Sequence, residues 1–214
     1  EYETEDQQVE ALKKWFKENL SSLIFGLAAG MLALGGWNYY IDQRNSHAQQ
    51  ASNLYMQAVA QIAANGVDDK IIDLNNKMNN DYADTPYAAL TSLVIASKEY
   101  DNGNTDDAIA QLEWAAKHAG SEEIKQLATL RLSRLLIEQK KYDEAMNYLK
   151  TEHAAAFDAT YEELKGDVYA AQGQLAQARS AYDKAISIKG NGNRLLILKR
   201  QNLGSAEPPV AANS

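Results

Sequence analysis

Three histidines, adjacent acid pairs and glycine-bearing polar turns are where this chain could carry chemistry. His47, His118 and His153 lie far apart and form neither a His-x-x-x-His nor a His-Glu-x-x-His pair. Those spacings are what set two imidazoles on one helix face for zinc. The chain has no cysteine, which removes thiolate metal sites, a cysteine nucleophile, disulfides and a lipidated N-terminal cysteine. Asp68-Asp69 and Glu162-Glu163 are sequence neighbours, and neighbours on a helix point about 100° apart, so neither pair can share a substrate. Asp101-Asn102-Gly103-Asn104-Thr105-Asp106 has its glycine at the third place, where a calcium loop needs it at the sixth. Gly190-Asn191-Gly192-Asn193 lacks the lysine of a phosphate loop and suits the stop of one helix and the start of the next. The expectation is a chain without catalytic residues, cofactor or metal.

With chemistry set aside, the elements become the informative level. The 214 residues carry a formal net charge of −8, with 29 acids against 21 bases, so a nucleic-acid partner is not expected. The charges are unevenly placed. Asn19 to Ile41 is a run of 23 residues without one. As a helix it is about 35 Å long, enough for a hydrocarbon core of about 30 Å. Trp15 and Phe16 precede the run and Trp37, Tyr39 and Tyr40 close it, as interfacial aromatics do. A buried core helix is the alternative, but soluble helices are rarely apolar on every face for six turns. A cleaved signal peptide is another, and no small-x-small site follows the run.

Lys13, Lys14 and Lys17 stand before the span and only Arg44 close after it. The positive-inside rule then leaves residues 1–18 as a cytoplasmic tail, 19–41 in the bilayer and 42–214 exported. Val9, Leu12 and Phe16 give the tail the spacing of a short amphipathic surface helix. Within the span, Gly26, Gly30 and Ala33 form a small-residue face on which another helix could pack.

The exported part reads as helix throughout, since no window sustains period-2 alternation. Thr85-Pro86, Thr105-Asp106-Asp107 and Ser121-Glu122-Glu123 mark helix starts with a hydroxyl cap before a proline or acids. Gly173-x-Leu175-x-x-Ala178-x-x-x-Tyr182-x-x-Ala185 has the small-and-aromatic spacing of a tetratricopeptide second helix, with Gly166 and Tyr169 at first-helix positions upstream. Degenerate copies run through Gly103, Ala108, Leu112 and Ala115, and through Tyr142, Ala145 and Leu149. The Ala108–Ala145 and Ala145–Ala178 intervals, 37 and 33 residues, bracket the repeat length of about 34. Ala51-x-x-x-Tyr55-x-x-Ala58 repeats the spacing just beyond the span.

The expected division is a long helix continuing to residue 65, a second helix over 67–81, helix pairs over 86–118, 121–151 and 157–189, and a capping helix over 193–203. The fold class is all-α, one N-terminal transmembrane helix followed by a tetratricopeptide-like solenoid over 42–203. The tail 204–214, with Pro208-Pro209, is expected to be disordered. Carrying the third repeat's register backwards points Leu93, Ser97 and Tyr100, then Leu130, Arg134 and Ile137, then Glu163 and Asp167 toward the concave side. These eight form a candidate groove for a protein segment. The alternative is that several of them, Leu93 and Leu130 above all, only pack the helices.

The chain resembles the YfgM family of Gram-negative inner-membrane proteins, ancillary subunits of the SecYEG translocon. The resemblance starts in the leader, at Asp6-Gln7-x-Val9-Glu10-Ala11, Lys13, Phe16 and Glu18-Asn19. It continues through Gly36-Trp37-Asn38-Tyr39 and the Ala51–Tyr55–Ala58 helix to Leu164-Lys165-Gly166 and Gly173 through Ala181. Gly204–Ser214 departs from it. The resemblance implies a single-pass inner-membrane protein with its C-terminal domain in the periplasm, beside the translocon. It also implies a membrane-anchored chaperone partner like PpiD, a part in handing over translocated proteins, and a link to Rcs envelope-stress regulation. A membrane-anchored scaffold for another envelope or division complex would share the fold.

Overall fold

The computed structural model describes residues 5–190 and 192–204. Every regular element among them is helical. The chain separates into an N-terminal unit ending at Gln49 and a unit that begins at Gln50.

Helix α1, Glu5–Asn65, contains the N-terminal unit and enters the next. No Gly, Pro or capping residue lies between Val9 and Asn19, so the hydrogen-bond ladder runs unbroken from the tail into the charge-free stretch. Asn19 is absorbed into the helix, its Nδ2 donating to the Trp15 carbonyl at 2.8 Å. Apolar side chains are exposed on all sides of the charge-free stretch, Phe25 at 77% and Leu32 at 78%. Among the described residues one helix is long and apolar enough to cross a membrane, and it is this one. A Cβ built on Gly26 or Gly30 meets nothing within 4 Å among the described residues.

The second unit opens with the end of α1, where Ala58 and Ile62 pack with Ile71 and Ile95. Helix α2, Asp69–Asp81, is capped by Asp68, whose carboxylate accepts from the Ile71 amide at 2.9 Å. Three antiparallel pairs follow: α3 (Pro86–Asp101) with α4 (Thr105–His118), α5 (Glu122–Glu138) with α6 (Tyr142–Leu149), and α7 (Asp158–Ala171) with α8 (Leu175–Lys189). A single 3-10 turn, Ala155–Phe157, leads into α7. Helix α9, Arg194–Asn202, ends the solenoid and is capped by Asn193.

The hydroxyl caps expected from the sequence form differently. Thr85 donates backwards to the Tyr82 carbonyl at 2.7 Å, and Ser121 donates to the Glu123 carboxylate at 2.5 Å. Thr105 is already inside α4, with Asn104 at the cap position. Thr85 and Ser121 still stand at the cap positions of α3 and α5, but neither side chain accepts from the first-turn amides. The tail expected to be disordered falls outside the described residues except for Gly204, whose carbonyl accepts from Arg179 at 3.2 Å.

The repeat lies in its packing positions. Ala96, Ser133 and Gly166 occupy one site on the three first helices, and Ala108, Ala145 and Ala178 one site on the second helices; all are buried. Small residues there let the helices of a pair approach closely. The turns repeat too. Gly103, Lys140 and Gly173 all adopt positive φ, at 85°, 60° and 75°. The residue after each donates to a carbonyl five residues back at 2.8 Å: Asn104 to Glu99, Lys141 to Leu136 and Gln174 to Tyr169. This is a Schellman closure, for which glycine is the unstrained residue. Lys140 alone makes it with a Cβ. Lys140→Gly is therefore expected to stabilise the fold by about 0.5–1 kcal/mol, read as a raised urea midpoint at unchanged slope.

Candidate interaction groove

The largest continuous core runs from α3 to α7 and includes both Leu93 and Leu130, each 4% exposed. Two open cavities lie over its concave edge. One, about 400 Å³, is lined by Tyr55, Ile62, Leu90, Val94 and Leu127, with Lys98, Asp101 and Arg131 at its rim. The other, about 200 Å³, has Leu93, Ala96, Leu112 and Leu135 around its floor and Ser97, Tyr100, Arg131 and Arg134 at its mouth. Leu93, Ser97 and Arg131 line both, so the cavities form one groove over α3, α5 and the last turns of α1.

Of the eight residues expected there, the structure brings together Leu93, Ser97, Tyr100 and Arg134. Leu130 is inside the core, and Ile137 packs half-buried against that core. The positions on α5 that do line the groove are Leu127, Arg131, Arg134 and Leu135. The reason is geometric. A cleft between successive first helices is walled by opposite flanks of the two, so moving the α3 residues along by one repeat reaches the groove at Arg134 but puts Leu130 and Ile137 against the core. An exposed leucine at 127 followed by arginine at 131 and 134 is an i, i+4, i+7 face that the sequence displays. Tyr100 donates to Glu138 at 3.0 Å, an acceptor that raises its pKa.

Glu163 and Asp167 are elsewhere, and they are engaged. Lys199 of α9 reaches Glu163 at 3.0 Å and Asp167 at 2.8 Å; Lys189 reaches Glu163 at 3.5 Å. Tyr182 donates to the other Asp167 oxygen at 2.7 Å. The capping helix thus engages both of the positions expected to face the groove on the third repeat. Burial pushes the Tyr182 phenol up, and Asp167 and Glu163 push it further. Burial alone would lower Lys199, but Asp167 and Glu163 outweigh it and raise its pKa.

Both groups therefore hold their protons more tightly folded than unfolded. Their contribution is complete below the ordinary tyrosine and lysine pKa values of about 10 and is lost as pH rises through the raised ones. Lys199→Met is expected to cost about 1–2 kcal/mol at pH 8, because half-buried Asp167 loses its counter-ion and Glu163 keeps only Lys189. It should also flatten the fall of the urea midpoint between pH 9 and 11. An unchanged alkaline slope would mean that the Lys199 pairs are not formed in solution.

The histidines do not converge. His118 caps its own helix, Nδ1 lying 3.1 Å from the Trp114 carbonyl. His153 stacks on Tyr161 at 3.7 Å between centroids and meets Asp158 at 3.2 Å. Among the described residues no three His, Asp or Glu side chains are grouped closely enough to hold a metal.

Comparison with known proteins bears on the same fold. A family model described as a tetratricopeptide repeat-like domain matches residues 13–205. An Escherichia coli protein named ancillary SecYEG translocon subunit is 32% identical over 185 residues, 86% of this chain and 88% of its own. A protein of that name from Neisseria gonorrhoeae is 29% identical over 93% of this chain and 97% of its own. One from Haemophilus influenzae is 25% identical over 85% of this chain and 88% of its own.

Proposed function

The chain belongs to the tetratricopeptide repeat-like family of the ancillary SecYEG translocon subunits, the YfgM family, and from that premise we propose that it is a non-catalytic, single-pass inner-membrane protein serving protein export beside the translocon. Residues 1–18 are its cytoplasmic tail, 19–41 its membrane span and 42–203 its periplasmic domain. The observation that carries the reading is the pairing of a fully exposed apolar helix with a repeat domain whose groove is apolar at its floor and polar at its mouth. Such a groove receives a segment of another protein. Anchoring raises the local concentration of the groove at the membrane, so weak contacts suffice to hold an emerging chain.

The partner that takes the chain onward is a membrane-anchored periplasmic chaperone like PpiD, and loss of the hand-over feeds the Rcs envelope-stress response. The span's packing face, Gly26, Gly30 and Ala33, is where another membrane helix joins. Support for these finer parts is the family relationship and the accessibility of the small-residue face.

Purification of the full chain in mild detergent tests the role, and recovery without channel subunits would sink it. Photo-crosslinkers at Ser97, Tyr100 and Arg134 test the groove: adducts are expected there, and adducts only from the exposed face of α6 at Asn147 would overturn it. The absence of cysteine makes orientation directly measurable. A membrane-impermeant maleimide should label Asn147→Cys in intact spheroplasts and Gln8→Cys only after lysis.

A further inference from the structure

The groove carries a feature that its apolar floor does not explain. Arg131 and Arg134 stand three residues apart on α5, both exposed, both at the mouth of the smaller cavity. Among the described residues neither side chain makes a hydrogen bond or an ion pair, although the chain has 29 acids to 21 bases. Some other cations of the domain are paired. Arg179 donates to the Leu203 carbonyl at 2.6 Å, Arg200 to Asp183 at 2.7 Å, and Lys199 to two carboxylates. Two guanidinium groups on one helix face repel each other, so leaving them together without a counter-ion is unfavourable in the free domain.

The surrounding charges do not cancel them. Lys98 adds a third cation at the rim of the larger cavity, where Asp101 is the acid. Glu138, the next acid along α5, accepts the Tyr100 hydroxyl. No carboxylate lines the smaller cavity, whose mouth presents Ser97, Tyr100, Arg131 and Arg134. Guanidinium groups bind carboxylates in paired, directional hydrogen bonds, and do so best where an apolar wall excludes water.

Position then sets the pattern. Ser97 and Arg131 are shared by the two cavities, each of which has an apolar lining. We propose that the groove takes an amphipathic protein segment in which an acidic side chain stands between two apolar anchors, the anchors filling the two cavities and the acid meeting Arg131 and Arg134. This rests on the groove being the binding face and names the chemistry of its occupant. It makes recognition selective as well as adhesive, since a basic residue at the central place would meet like charge.

The test is selection of a displayed random 12-residue peptide library on the full chain in lipid nanodiscs. Enriched sequences are expected to carry Asp or Glu between two apolar residues. Changing that acid to Gln or Asn should weaken binding about tenfold, and the difference should vanish on the Arg131→Gln/Arg134→Gln variant. Both positions are exposed, so that variant should melt where the parent does. Enriched peptides that crosslink at Ser97 but need no acid would overturn the proposal and leave the groove standing. Enrichment of nothing that crosslinks at Ser97 would overturn both.

Discussion

Tyr161→Ala is expected to cost about 3–5 kcal/mol and to lower the melting temperature by roughly 10 °C. Tyr161 is among the largest fully buried side chains, at 0% exposure, and it joins parts of the chain that are distant in sequence. Its ring stacks flat on His153, its hydroxyl donates to Gln126 of α5, and it belongs to the core running from α3 to α7. Gln126 in turn donates to Glu122 at 2.5 Å and is itself buried. Truncation opens a ring-sized cavity and leaves the Gln126 carbonyl oxygen without a donor. Tyr161→Phe separates the two effects: it keeps the packing, removes the hydroxyl and should cost only about 1–2 kcal/mol. If chemical denaturation gave the two variants equal losses, the cavity would not be the main cause.

Gly166→Val should cost about 3 kcal/mol, although valine is the better helix former. A Cβ at Gly166 would come 2.5 Å from Tyr182 Cδ1, and closer still to Cε1. Tyr182 cannot swing away, because it is buried and its hydroxyl is tied to Asp167 at 2.7 Å. The clash therefore drives α7 from α8 and disturbs Asp167, on which Lys199 and the capping helix depend. Pairing the change with Tyr182→Ser makes room. The double variant should be more stable than the sum of the single losses by at least about 1 kcal/mol. Simple additivity in thermal or urea unfolding would show that ring and glycine are not in contact.

These two residues differ in how openly the sequence announces them. Gly166 and Tyr182 stand at recognisable repeat positions, and their small-against-large meeting follows from the spacing. Tyr161 gives no such signal, since its partners His153 and Gln126 come from a loop and from another helix pair. The same contrast runs through the groove. Leu93, Ser97, Tyr100 and Arg134 were legible from periodicity. Leu127 and Arg131 were not, because periodicity places residues on a helix face but does not say which flank the neighbouring helix leaves open.

Glu163 and Asp167 show the other limit. Repeat register makes them equivalents of Leu130 and Arg134, and nothing local says that Lys199, over thirty residues later, will neutralise them. A charge on a helix is local information, while its counter-ion is a matter of tertiary packing. The positive φ at Lys140 is similar: the repeating turn geometry compels a conformation that lysine itself disfavours.

The sequence by itself determined the quantities that depend on composition and spacing along one helix. These are a charge-free stretch long enough for a bilayer, an all-α repeat and its small packing positions. Each follows from a periodicity of about 3.6 residues or from residue type alone. Tertiary structure decided which flank of each first helix stays open, that the capping helix covers the third repeat, and that the Arg131 and Arg134 side chains have no partner among the described residues. Those outcomes depend on distances between elements far apart in the chain, which the docking of one helix pair on the next sets and no local pattern encodes.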